Sequence, residues 1–520
     1  MLTFWLCIIL FPIIFYAALK LPKLPKWSII TTFALLVILR IYLATTVNGY
    51  SIDFAWYTNW CLNIKHFYAI GGKNFGLGAL YGSGFFVDNQ PFTMLIFGIT
   101  SLLGQLFHTL PIPPAGTDLY WGWATATGGE LPQWGSFAVT PIFHAGWVLT
   151  LKFFPLISDF ALAFIAYWLG KKYSSEKIGV IVAILMLICP AMAVDSVFWG
   201  QIDSILSLLI VLSIIFLSRV AEKGETKDWI IASSLFTLAI LTKPQAIIFA
   251  PLFLAVLIKK FSWKNLLYSI GTILLTIIII CLPFYDKTTF TDGPIKNLWV
   301  FGWIINQIVS TAGKYDLLSV NAFNIYHFFG QNQKPATAPI WGFVKVLVPA
   351  LVTIGTVWAY HLFAKKQKAN LTLNKKPTKQ TNKKFPSSGG VSTNVDGVVL
   401  NGTPSTQSVL FFLAGVIMLT IYVLTPAMHE RYSYPALIMF FLAYATSANK
   451  WLIPLILATA TSLFANCISA FAYFALGGGP IWRTLWSATS GTEQFFSFIY
   501  IAALIYAFYL VPKMLKLSKK

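Results

Sequence analysis

The feature that most constrains this chain is a succession of apolar runs, each long enough to cross a bilayer. A helix needs roughly 20 apolar residues to span a hydrocarbon core about 30 Å thick. Candidate spans fall at 3–19, 27–46, 152–169, 177–193, 202–218, 228–242, 246–259, 265–283, 341–363, 409–425, 433–448, 451–473 and 495–512. Two of these thirteen, 228–242 and 246–259, are short and flank Thr242-Lys243-Pro244-Gln245, the mark of a broken pair. In hydrocarbon each backbone amide must bond within its own segment, so runs of this kind fold as helices. The expected fold is therefore all-α, a polytopic transmembrane bundle with large outer loops that carry interfacial helices. Composition agrees: 57% of the residues are hydrophobic and only 10% charged, where a soluble domain is about a quarter charged.

Charge sets the orientation. The formal net charge is +20, but Lys and Arg lie mostly at the ends of apolar runs, where they fix topology rather than bind nucleic acid. Lys20 to Lys26, Lys171-Lys172, Arg219 to Lys227, Lys259-Lys260, Lys450 and the Lys-rich C-terminus all fall on one side. So does the stretch from Lys365 to Lys384, with eight lysines. These positions are expected in the cytoplasm. The segment 48–150 carries only Lys65 and Lys73 and falls outside. The alternation puts the N-terminus outside and the C-terminus inside, in a plasma membrane whose bacterial character is suggested by short loops. The first residues lack a basic n-region and a small-residue cleavage site, and are expected to be a retained span.

The chain divides into an extra N-terminal span (1–26), a main module (27–363), a basic loop expected to be disordered and cytoplasmic (364–408), and a C-terminal module (409–520). Two outer features stand out, 48–150 and 284–339. The apolar piece 92–107 within the first is read as interfacial or re-entrant, because counting it as a span would invert every later loop. Cys7, Cys61, Cys189, Cys281 and Cys467 are scattered and show no metal or disulfide spacing.

Polar residues gather at the outer ends of the spans. Asp53 follows span 27–46, and Asp88 sits in FVDNQPFT. Asp195, Gln201 and Asp203 lie in VDSVFWGQIDS, Lys243 and Gln245 in TKPQ, and Asn321 in SVNAFN. His429, Glu430 and Arg431 form the next outer turn. The cytoplasmic ends carry simple Lys repetition instead. A transporter would concentrate polar groups near the midplane with access from both faces. Polar groups collected at one boundary suit a lipid-linked substrate, with its head at that depth and its tail in hydrocarbon.

The stretches IDFAWYTNW, DNQPFT, FWGQIDS, TKPQ, LSVNAFN and MHERY resemble, in order, those of the GT-C superfamily of glycosyltransferases, which use polyprenyl-phosphate sugars. The chain is most similar to bacterial proteins related to the second mannosyltransferase of GPI-anchor synthesis. The resemblance runs from about residue 27 onward. It implies inverting transfer of one hexose (mannose, glucose or galactose) to a glycolipid, cell-wall polymer or protein on the outer face. It implies that Asp53 occupies the place of the catalytic base. A carboxylate there can take the acceptor's proton, while Arg431, His429 and Lys243 compensate the phosphate charge. Gln201, Asp203 and Gln245 would hold sugar hydroxyls, and Glu430 would orient Arg431 or His429. Asp88, Asp195 and Asn321 stand as acceptor-binding or loop-ordering positions. No cofactor is expected, with a divalent cation left open at Asp53 or Asp203.

Plainer readings compete at each place. Asp53 suits a helix N-cap, Lys243 a snorkelling position at a broken helix, and His429-Glu430-Arg431 an interfacial ion pair. Asp159, inside a span, reads as the partner of another buried polar group. The other histidines show no ligand spacing. Of the competing functions, a lipid-linked-sugar flippase would need inverted repeats, and none is evident. An oligosaccharyltransferase would carry an Asp-X-Asp pair and a large soluble C-terminal domain.

Overall fold

A computed structural model describes residues 2–515 apart from 23–24, 48, 50, 70–76, 78, 83–86, 88, 112–143, 286–294, 313–314, 375–403 and 476–490. The described chain is almost entirely helical. Its helices are α1 (Leu2–Lys20), α2 (Lys26–Thr46), α3 (Ser51–Ala69), α4 (Ala79–Gly82), α5 (Pro91–Leu106), α6 (Ala145–Tyr173), α7 (Glu176–Ile188) and α8 (Pro190–Met192). They continue with α9 (Asp203–Lys223), α10 (Thr226–Thr242), α11 (Ala250–Lys259), α12 (Trp263–Cys281), α13 (Trp299–Ala312) and α14 (Ile325–Phe328). The series closes with α15 (Pro339–Asn374), α16 (Thr406–Leu424), α17 (Tyr434–Ser447), α18 (Ile453–Ala475) and α19 (Thr492–Met514).

Among the described residues eight helices are long and apolar enough to cross a membrane, or nine if α7 and the segment Pro190–Trp199 count as one bent span. The other runs proposed as spans are also helical but shorter. The helix Pro91–Leu106 has 16 residues, about 24 Å of rise, which is less than the hydrocarbon thickness. The basic loop begins later than expected: α15 continues to Asn374, because Lys, Gln, Ala and Leu are good helix formers.

Burial separates centre from rim. Residues Thr406–Val423 of α16 are all buried, packed against α9, α15, α17 and α19, and α6, α7 and α18 extend the same apolar core. In α12 and α15 only 6% of the most apolar window is buried, so their apolar side chains face outward, as lipid-facing helices do. Close approach of α6 and α7 depends on two glycines: a Cβ on Gly170 would meet Gly179 Cα at 2.4 Å.

Three breaks in this bundle carry the polar residues. Cys189, extended before Pro190, ends α7, and the chain bends by 48°. A π-helical turn, Ala193–Trp199, follows and ends at Gly200 with φ +77°. Lys243, extended before Pro244, ends α10. Thr425, extended before Pro426, ends α16. The turn after α16 then forms a two-residue parallel ladder, β1 (Ser319–Val320) with β2 (Met428–His429). This ladder ties the segment between α13 and α15 to the turn that holds Glu430 and Arg431.

Candidate active site

Asp53 lies in the first turn of α3, where the helix dipole favours a negative charge. Its side chain reaches across the fold. Asp53 Oδ2 accepts from Trp199 Nε1 at 2.7 Å and from Gln201 Nε2 at 2.5 Å. Both donors come from the turn between the π-helical segment and α9. Gly200 allows that turn twice over: its φ is left-handed, and a Cβ would lie 2.8 Å from the Phe54 ring. Phe54, next to Asp53, is held by the buried Lys152, whose ammonium lies 5.4 Å from the ring centroid. Lys152 Nζ also donates to Ala44 O at 3.0 Å and to Val47 O at 2.5 Å, fixing the end of α2 before Asp53.

The remaining charges form a second, contiguous group. Asp203, in the first turn of α9, is fully buried and accepts from Lys243 Nζ at 2.9 and 2.8 Å and from Gln245 Nε2 at 3.2 Å. Arg431 Nε lies 3.5 Å from Asp203 Oδ2, and Arg431 Nη1 pairs with Glu430. His429 Nδ1 lies 3.8 Å from Glu430 Oε2. Burial would raise the Glu430 carboxyl, but Arg431 and His429 outweigh it and bring the pKa down to about 2. Glu430 is thus an anion held by its neighbours, not a proton donor near neutral pH.

Trp199 joins the two groups. Its indole N–H bonds Asp53, and its ring faces the Arg431 guanidinium at 5.1 Å from the centroid. Asp53, Gln201, Asp203, Lys243, Gln245, Glu430 and Arg431 therefore form one connected site, drawn from α3, the turn before α9, the α10 break and the turn after α16. Each cation already has a carboxylate partner.

The other expected residues sit differently. Asn321 has φ +59°, and its side chain accepts from Asn332 and Gln333. It bridges to His429 through the backbone, so it orders the loop that carries β1. Asp195 is fully buried in the π-helical turn, and neither carboxylate oxygen has a hydrogen-bond donor. Its backbone carbonyl accepts from the Gln201 amide at 3.0 Å. Asp88 lies outside the described residues. Asp159 accepts from Arg40, Ser196 and Tyr434 inside the bundle and serves as a buried partner. Among the described residues no group of three or more His, Cys, Asp or Glu is placed to hold a metal ion.

Residues 131–285 match the family model of dolichyl-phosphate-mannose-protein mannosyltransferases. The match spans 155 of the 520 residues and supports a membrane glycosyltransferase of the GT-C type. The family's description points to a polyprenyl-phosphate sugar as the donor class. No curated protein resembles the chain closely enough to count as a relative. The matched segment contains Lys152, Trp199, Gln201, Asp203, Lys243 and Gln245, while Asp53 and the His429–Arg431 turn lie outside it. Sequence reasoning missed three residues of the site: Trp199, Lys152 and Tyr57, whose hydroxyl donates to Gln201 Oε1 at 3.2 Å. Trp199 adjoins Gln201 within FWGQIDS, and a tryptophan beside a glycine in that polar stretch was the available signal. For Lys152 the signal was a lone cation opening an apolar run.

Proposed function

We propose that this glycosyltransferase moves one hexose, with inversion, from a polyprenyl-phosphate donor to a hydroxyl on the outer face of the plasma membrane. Mannose is the sugar favoured by the matched family. The observation that carries the reading is the meeting of Asp53 and Arg431 on Trp199, which sets a carboxylate beside a guanidinium. Asp53 takes the proton of the acceptor hydroxyl as its oxygen bonds the anomeric carbon. The bond from that carbon to the phosphate oxygen breaks, and polyprenyl phosphate leaves with the electron pair. Arg431 and Lys243 compensate the charge of the leaving phosphate, exchanging part of their present bonds to Glu430 and Asp203 for bonds to phosphate. Gln245 lies within reach of the same phosphate and sugar.

An apolar cleft of about 590 Å³, lined by Leu318, Tyr326, Phe329, Trp341 and Leu424 among others, flanks β1 and the end of α16. An isoprenoid chain entering there would bring its phosphate toward the turn that holds Arg431. The acceptor is a glycolipid, a cell-wall polymer or a protein. The reading is tested with purified protein, a polyprenyl-phosphate mannose and a panel of envelope glycolipids. Transfer by the wild type that disappears in Asp53→Asn, with the variant still folded, supports it. Undiminished transfer by Asp53→Asn removes Asp53 from the mechanism. Translocation of the donor across vesicles with no transfer assigns the protein to the flippases instead.

A further inference from the structure

The amide of Gln201 has a donor end and an acceptor end, and only the donor end can face an anionic carboxylate without repulsion. Nothing in Gln201 itself selects between them. The acceptor-only carboxylate selects the donor end, and Tyr57, one helical turn after Asp53 on the same face of α3, holds the other end. The Tyr57 hydroxyl donates to Gln201 Oε1 at 3.2 Å, which anchors the amide while Nε2 donates to Asp53 Oδ2 at 2.5 Å. Tyr57 is held in place in turn. Its ring is 6% exposed and packs 4.9 Å from Phe97 and 5.6 Å from Trp60, centroid to centroid.

We propose that Tyr57 and Gln201 are positioning residues for Asp53, forming a relay in which the phenol orients the amide and the amide orients and ionises the carboxylate. This inference rests on the reading of Asp53 as the base, and it moves Gln201 from the sugar-binding set to the base. The geometry supports it in two ways. Gln201 Nε2 and Trp199 Nε1 both bond Oδ2, so the plane of the carboxylate is set, and with it the direction of Oδ1. Two donors to the ionised form also keep the carboxylate charged to lower pH. Among the described residues, the charged groups around Asp53 include Arg431 across Trp199, Asp203 and Glu430 beyond Arg431, and Lys152 over Phe54. None of them touches the amide of Gln201 in place of Tyr57.

Tyr57→Phe removes one hydroxyl and keeps the ring packing, so the variant should fold. The expected result is a fall of about tenfold in kcat, about 1.4 kcal/mol in the barrier. KM for donor and acceptor should change less than about twofold, and the acid limb of kcat/KM should move up by about half a pH unit. Gln201→Leu should show the same pattern, and Tyr57→Phe added to it should cost nothing more, since the relay is already cut. A wild-type kcat and acid limb in Tyr57→Phe overturns the inference. So does an equal loss from Tyr57→Phe in the Gln201→Leu background, because Tyr57 would then act by another route. A structure of Tyr57→Phe gives a readout independent of turnover. Gln201 Nε2 should leave hydrogen-bond distance of Asp53, and an unchanged contact overturns the relay. An active Asp53→Asn defeats the reading of the base, whereas an inactive Asp53→Asn with a fully active Tyr57→Phe defeats the relay alone.

Discussion

Replacing Arg431 by Met isolates the energetics of the charged group. Met keeps apolar bulk against Trp199 but removes the guanidinium that faces Glu430 and Asp203. Both carboxylates are buried, with side-chain exposures of 5% and 0%. The Glu430 carboxyl stands at about 2 against an ordinary value of 4.5, with burial opposing the shift and Arg431 and His429 producing it. A shift of that direction against burial marks a carboxylate that depends on its cationic neighbours, and orphaning one member of a buried pair costs roughly 3–5 kcal/mol. Arg431→Met should therefore destabilise the fold by about 3 kcal/mol at pH 7.5. Glu430→Gln removes a charge whose desolvation is unfavourable and should cost less. The double variant should recover most of the loss, giving a coupling of about 2–3 kcal/mol. Unfolding in mixed micelles, followed by tryptophan fluorescence, measures all three. Strictly additive losses would refute the reasoning, because Glu430 would then not depend on Arg431.

Other outcomes follow from the same contacts. Because the Glu430 pKa is depressed, its stabilising contribution is complete above about 4.5 and is lost as pH falls through about 2. The offset between wild type and Glu430→Gln should thus be constant between pH 5 and pH 7 and change only at lower pH, as a pH series of the same micelle assay measures. Gly200→Ala places a Cβ 2.8 Å from Phe54 at φ +77°, a backbone strain of about 1–2 kcal/mol before the clash. It should lower the midpoint and displace Trp199 and Gln201 from Asp53, with turnover falling at least about tenfold. Asp159→Asn leaves Arg40 buried without its counter-charge and should cost about 3–5 kcal/mol of stability, with donor affinity unchanged in a binding assay on the folded fraction. Lys152→Met leaves Ala44 O and Val47 O without their donor and should cost about 1–3 kcal/mol, measured as a shift of the thermal midpoint.

The helices were legible because hydrophobic run length is a local property, and the structure places a helix at each proposed span. The run length did not decide which helices cross a bilayer. The stretches Thr226–Thr242 and Tyr434–Ser447 are shorter than the eight that qualify, and the break at Lys243-Pro244 divides what composition alone would join. The site residues could be picked out as polar groups in an apolar chain, since such groups are costly without a partner. Their partners could not. Asp53 and Trp199 lie 146 positions apart, and Arg40 and Asp159 lie 119 apart. No periodicity links such pairs; they meet only when α2, α3, α6 and the π-helical turn pack together. For the same reason the bond from Gln201 to Asp53, 148 positions away, could not be read from the sequence. Asp159 was legible as a partner of something buried, because a carboxylate in the middle of a span has few other uses.

The most direct test of the account is the structure of the protein bound to a non-transferable polyprenyl-phosphate sugar analogue in a lipid nanodisc. The account predicts phosphate oxygens within hydrogen-bond distance of Arg431 and Lys243, the anomeric carbon on the side facing Asp53, and the isoprenoid chain in the cleft beside Leu318 and Leu424. A phosphate bound away from Arg431, or a sugar that Asp53 cannot reach, would contradict it.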